Sequence, residues 1–159
     1  MIRIKKYLPL LFFIILLAFQ SCKKEELDIK AVLTDGTGTW DVEWVKTFRE
    51  TYQNEFEATS NYTNPGKFKF NSDGTGTYIF VDTIDFDWNF NDKTMSLNFK
   101  KEQIKDQTSP IIFYYLNTMY ISTYRVFCTN AKTCKFTFLR SGYSSTDVFK
   151  KMEFVVTKP

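Results

Sequence analysis

The residues able to do chemistry are few. The chain of 159 residues holds three cysteines, Cys22, Cys128 and Cys134, and no histidine. Without histidine there is no Ser-His-Asp or Cys-His nucleophile pair and no imidazole base, and the ligand sets of most zinc and haem sites are missing. Asp85 and Asp87 share one face of an alternating segment and could form a carboxylate pair of the kind that hydrolyses glycosides. The opposite face carries Ile84, Phe86, Trp88 and Phe90, so both carboxylates are expected to point to water. Asn71-Ser72-Asp73-Gly74-Thr75 has part of a calcium-loop pattern, but Lys69 stands where an acid is required and the closing Glu is missing. A hairpin turn explains it more simply. No catalytic residue, metal site or cofactor is expected.

The remaining reactive group is Cys22, and its surroundings say what it is for. Residues 1–21 carry Arg3, Lys5 and Lys6, then an apolar run from Leu8 to Phe19, and no acid. A basic start followed by about 7–15 apolar residues is the pattern of a secretory signal, and the run is shorter than the roughly 20 residues that span a bilayer. Leu17-Ala18-Phe19-Gln20-Ser21-Cys22 resembles the lipobox of bacterial lipoproteins, in the relaxed form of Bacteroidetes. The resemblance implies cleavage before Cys22, a diacylglycerol thioether and acyl chains (palmitate-like) on that residue. Several acyl chains anchor a protein stably without a transmembrane helix. Lys24-Glu25-Glu26 also resembles the signal that sends such lipoproteins to the cell surface, which implies an outer-membrane location. Residues 1–21 are thus read as the signal peptide, 22–35 as a lipidated tether and 36–159 as one domain.

Export changes the charge argument. Residues 1–21 hold three of the 21 basic residues and none of the 18 acidic ones, so the mature chain has no net charge. The apparent +3 belongs to the signal, and nothing favours nucleic acid as a partner. With Cys22 acylated, Cys128 and Cys134 are left as an even pair in an oxidising compartment. They bracket a polar, turn-like Thr129-Asn130-Ala131-Lys132-Thr133. Facing positions on hairpin strands lie about 4.5 Å apart in a non-hydrogen-bonded pair, within reach of a disulfide. A hairpin-stapling disulfide is expected.

The elements that position these groups read as strands. Trp40, Val42 and Trp44 alternate with Asp41 and Glu43, the period of a half-buried strand running toward Phe48. Thr51 to Pro65 reads as a long loop or partial helix. Lys67-Phe68-Lys69-Phe70, an Asp73-Gly74 turn and Thr75 to Val81 form a hairpin. Ile84 to Phe90 alternates throughout, and Met95, Leu97 and Phe99 follow the Asn91-Asp92-Lys93 turn. Ile111 to Leu116, Tyr120 to Cys128, Lys135 to Arg140 and about Phe149 to Thr157 read as further strands, with no helical segment after the signal. Eight to ten short strands suggest an antiparallel barrel or sandwich.

Gly38-Thr39-Trp40 resembles the Gly-x-Trp of lipocalins. Phe68-Lys-Phe-Asn-Ser-Asp-Gly-Thr-Gly-Thr77, Phe86-Asp-Trp-Asn89 and the closing Lys151–Lys158 segment resemble the small lipocalin-like lipoproteins of Bacteroidetes. The resemblance implies an all-β, antiparallel up-and-down barrel of about eight strands, with a β-sandwich as the alternative. With no catalytic residue in view, the expectation is a non-enzymatic protein that binds a small apolar or amphipathic ligand inside the barrel. Trp40, Trp44, Phe68, Phe70, Phe86, Trp88 and Phe90 are the candidate cavity lining, although a packed core is the favoured reading of the same residues. The other reading is a filled barrel whose outer surface contacts an envelope protein or a glycan. Asp82-Thr83-Ile84 resembles the O-glycosylation pattern of exported Bacteroidetes proteins, with Thr83 as acceptor.

Overall fold

The computed structural model of the chain describes residues 27–50, 55–106, 108–117, 122–139 and 151–159. The chain opens with a short helix, α1 (Ile29–Thr34), then β1 (Thr39–Glu50), β2 (Phe56–Thr63), β3 (Lys67–Phe70), β4 (Thr75–Ile79), β5 (Thr83–Asn91) and β6 (Thr94–Phe99). A 3-10 turn (Lys101–Gln103) and α2 (Pro110–Asn117) follow, then β7 (Ser122–Asn130), β8 (Thr133–Leu139) and β9 (Lys151–Thr157). All strand pairings are antiparallel, in the order β2-β1-β3-β4-β5-β6-β7-β8-β9, and β1 also pairs with β9. That last pairing closes β1 and β3–β9 into an up-and-down, lipocalin-like barrel of eight strands, with β2 as an extra strand outside it. Closure removes the sandwich alternative and gives each of the eight wall strands a partner on both sides.

Alternation decides what fills the barrel. On β3 to β6 every second residue is buried, and Phe68, Phe70, Tyr78, Phe86, Leu97 and Phe99 point inward together. Their rings meet across the barrel. Phe136 of β8 stacks on Phe154 of β9 at 4.7 Å between centroids, Phe154 on Phe68 of β3 at 5.7 Å, and Phe136 on Phe70 at 6.4 Å. Tyr124 of β7 packs edge-on against Phe154 at 5.4 Å. β3 reaches this position because the chain bends sharply at Gly38. Its φ is +65°, and a Cβ there would lie 2.1 Å from the carbonyl oxygen of Phe70. Only glycine allows β1 and β3 to close so tightly.

Each end of the barrel carries a helix. α1 sits at the end where β1 begins, with Leu33 fully buried and its carbonyl accepting the indole N–H of Trp40 at 2.9 Å. Lys158 pairs with Asp35 at 2.7 Å and lies 5.3 Å from the Trp40 ring, which fixes the last strand to the same helix. That pairing holds the Asp35 carboxyl below its usual range. α2 packs at the other end, with Ile111 and Ile112 fully buried and Tyr115 stacked edge-on against Phe99 at 4.9 Å. There the Tyr78 hydroxyl donates to the carbonyl of Pro65 and shares a hydrogen bond with Ser109. Burial pushes the Tyr78 hydroxyl well above the ordinary tyrosine range, and the Ser109 contact only partly offsets it.

Three sequence expectations change. Residues 22–35 are not all tether, since Ile29–Thr34 is helical with Val32 and Leu33 buried. Asp28 caps α1 by accepting from the N–H of Ala31 at 3.1 Å, so the packed domain starts before residue 36. Within the stretch expected to be a loop from Thr51 to Pro65, Phe56–Thr63 is β2, since β1 is long enough to offer it a partner. The run Ile111 to Leu116 is helical, not extended. Ser109 stands before it and Pro110 takes the first helical position, a helix start that the continuous apolar run concealed.

Candidate functional site

The disulfide forms where the cysteine spacing placed it. Cys128 and Cys134 are register partners on β7 and β8, their Cα atoms 4.0 Å apart and their sulfurs bonded. Cys22 and residues 1–21, the expected signal, lie outside the described residues. Thr83 is exposed at the start of β5, immediately after the β4–β5 turn. Asp87 is exposed, and Asp85 is held by Gln103, which donates to its carboxylate at 2.9 Å.

The seven aromatic candidates separate into three groups. Trp40, Phe68, Phe70, Phe86 and Trp88 are buried at 0–5% exposure. Their polar atoms are satisfied, since the Trp88 indole donates to the carbonyl of Thr75 at 2.9 Å. These five pack as core. Trp44 is on the outside. A register shift between Val42 and Trp44 on β1 reverses the alternation, so Val42 and Val45 are buried while Trp44, Lys46 and Phe48 are only partly covered. Phe90 is partly buried at the barrel rim, where it lines a cleft beside the start of α1.

That cleft arises where the wall parts. β6 and β7 pair only as far as Thr94↔Arg125, and the last bond across is from the N–H of Val126 to the carbonyl of Lys93 at 3.1 Å. β7 runs on with β8 to Asn130, while β5 and β6 have already turned at Asp92, a residue with φ of 55°. The start of α1 lies across the gap. The result is a cleft of about 500 Å³. Leu27, Ile29, Phe90, Val126 and Phe127 supply its apolar surface, Asp28, Asp92, Lys93 and Thr129 its polar rim, and Cys128 of the disulfide contributes to the lining. Phe127 is 66% exposed and Leu27 41%. Such a mixture suits a ligand with an apolar body and a polar end. Leu27, Ile29, Val126 and Phe127 were not among the aromatic candidates. The register shift on β7 after Cys128 leaves no mark in the alternation.

A second, shallower groove of about 680 Å³ runs along the outer face of β1, β2, β8 and β9, past Trp44, Phe48, Ser60, Asn61, Lys135 and Glu153. Lys46 lies 4.8 Å from the Trp44 ring centroid. Glu153 is gripped by Lys151 at 2.7 Å and Lys135 at 2.9 Å.

Among the described residues, no three His, Cys, Asp or Glu side chains converge as a metal site, and no helix is long and apolar enough to cross a membrane. Comparison with protein-family models, with curated proteins and with solved structures gave no match.

Proposed function

We propose that the protein is a non-enzymatic lipoprotein, tethered to the outer membrane through an acylated Cys22, that holds a small apolar or amphipathic ligand in the cleft at the α1 end of its barrel. The observation that carries this reading is the cleft itself, an apolar bed of about 500 Å³ bounded by Leu27, the first described residue. Four residues lie between Cys22 and Leu27, five steps along the chain and a span of at most about 18 Å. The cleft therefore opens near the lipid layer from which an apolar ligand would partition. Its apolar body would lie on Phe90, Val126 and Phe127, with its polar end toward Asp28, Asp92 and Lys93. The ring contacts across the barrel favour the rim over the interior.

Native mass spectrometry of the protein purified from its own host tests this. An adduct released on denaturation, and lost in Phe127→Asp, is expected. No adduct, with no binding across fatty acids, sterols and haem-like compounds, overturns it. Intact mass and labelled palmitate, lost together in Cys22→Ser, test the anchor separately. The same intact mass tests Thr83, where glycosylation adds mass beyond peptide plus lipid.

The second reading is contact with an envelope protein or a glycan through the outer wall. Trp44 favours it, because the β1 register shift turns an indole outward beside Ser60, Asn61 and Lys46. Trp44→Ala is expected to abolish cell-surface glycan or protein binding under this reading, and to leave the cleft ligand bound.

A further inference from the structure

The barrel closes without β2. β2 pairs on one side with β1 and, among the described residues, has no strand on the other. β3 and β4 pair only up to Lys67↔Ile79, so the wall flanking β3 ends about where β2 begins. Among the described residues, the free edge of β2 therefore stands open beside the β4–β5 turn. The N–H of Asn64 donates to the carbonyl of Glu43 at 2.9 Å. By the alternation of an antiparallel ladder, the N–H and C=O of Asn61 and Thr63 then point away from β1, toward that open edge.

Native sheets blunt such edges with lysine, proline, bulges or very short strands. β2 has eight residues and contains no lysine or proline. Its one bulge, at Thr59, leaves Ser60 to Thr63 in unbroken register with β1. What surrounds the edge is apolar. Of seven exposed large hydrophobic residues among those described, four lie at the Thr63 end of β2 or on the end of β4 and the turn after it: Tyr62, Ile79, Phe80 and Val81. Three consecutive exposed apolar residues in a turn are a liability unless something uses them.

We propose that the β2 edge docks an extended segment of another protein. The segment adds as a strand beside Ser60–Thr63 and lays alternate apolar side chains against Tyr62 and the Ile79-Phe80-Val81 turn. Main-chain bonds supply the affinity and the apolar turn the selectivity. A second copy of this chain is the wrong occupant, an argument that rests on the Cys22 anchor. The two-fold axis relating two antiparallel edge strands runs normal to the sheet, hence across the barrel axis. It would point the two α1 ends, and so the two anchors, in opposite directions. One membrane surface cannot hold both. A foreign strand meets no such conflict, because the β2 end of the barrel is the one remote from α1 and the tether.

Hydrogen exchange resolved to single residues, on the mature lipoprotein in vesicles, tests the proposal. The probe is a synthetic peptide of alternating valine and threonine flanked by lysines. In the free protein the amides of Asn61 and Thr63 should exchange fast while Tyr62 and Asn64 are protected, and millimolar peptide should slow Asn61 and Thr63. Thr63→Pro removes one outward donor and should weaken the peptide about fivefold, the worth of one main-chain hydrogen bond. Val81→Asp, at a residue 68% exposed, should weaken it without altering the fold. Protection of Asn61 and Thr63 before peptide is added would mean that the chain covers its own edge, and overturns the proposal. So does an unchanged exchange at millimolar peptide, or a dimer in sedimentation that Thr63→Pro abolishes. The intact mass of the same sample reports the Cys22 lipid, so a failed anchor and a failed edge give different results.

Discussion

β2 and β3 lie end to end against the same edge of β1, yet one is wholly outside the core and the other helps to form it. β3, Lys67-Phe68-Lys69-Phe70, buries both phenylalanines to 1% exposure or less. β2, twice as long, buries nothing. Both have β-forming residues and the same partner strand. The difference is closure. β3 has a second neighbour in β4 and faces β8 and β9 across the barrel, while β2, among the described residues, has one neighbouring strand and none opposite. A strand's existence is settled by the neighbour that pairs with it, and its burial by whether the sheet folds back over it.

The strongest way to break that comparison is to truncate one aromatic on each strand. Phe68→Ala should cost about 3–5 kcal/mol, since it empties a ring position in contact with Phe70, Tyr78, Phe86 and Phe154. Phe56→Ala on β2 should stay within about 0.5 kcal/mol. Urea unfolding of both variants decides it. Equal losses would mean that β2 belongs to the core.

The next test concerns the bend that lets β3 close. Gly36 and Gly38 have nearly the same positive φ, +67° and +65°, but a Cβ at Gly36 meets nothing within 4 Å. Gly36→Ala should cost only the left-handed backbone strain, about 1–2 kcal/mol. Gly38→Ala adds a clash with the Phe70 backbone and should exceed that by at least about 1 kcal/mol. Similar melting temperatures for the two variants would show that β1 and β3 can separate at little cost.

The two hairpins that outrun their neighbours make a third contrast. β1–β2 splays off the barrel without a staple, whereas β7–β8 projects past β6 and is bonded at Cys128–Cys134. Replacing both cysteines by serine should cost about 2 kcal/mol in the chain-entropy model for so short a loop. It should also raise exchange in residues 126–130, and weaken any ligand held against Val126 and Phe127. An unchanged exchange rate there would show that β8 alone holds the cleft wall.

These contrasts also mark what could be read from the chain. The inward rows of β3 to β6, the Asp73-Gly74 and Asp92 turns and the facing cysteines follow from period-two alternation and turn chemistry, and the barrel contains them as read. Trp44 did not follow, because one bulge reverses every later side chain on β1 and alternation cannot register an inserted residue. α2 did not follow because Ile111 to Leu116 is apolar all round, a pattern that a buried strand and a buried helix share. Only the Ser109-Pro110 start separates them. The cleft was least visible of all. It depends on β6 ending before β7 does, a difference in strand length that no single segment records.

The smallest expected effect separates the charges on the two hairpin faces. Glu153 of β9 is 8% exposed beside the root of the β1–β2 hairpin. Burial opposes its ionisation, but the ammonium groups of Lys151 and Lys135 outweigh it, and the carboxyl titrates below its ordinary value of 4.5. The folded state therefore binds the proton less tightly than the unfolded chain. Its stabilisation is present in full above about pH 4.5 and is lost as pH falls through the lower folded value. Arg49 and Glu57 also pair, at 2.6 Å, but across β1 and β2 where both side chains are more than half exposed. Glu57→Gln should change stability by less than about 0.5 kcal/mol at neutral pH. Glu153→Gln should lower the melting temperature near neutrality and flatten its decline on acidification. Melting curves for both variants between about pH 7 and about pH 3 test this. If Glu57→Gln flattened the acid limb as much as Glu153→Gln does, the β2 face would be desolvated like the barrel wall, and the open edge would have to be covered.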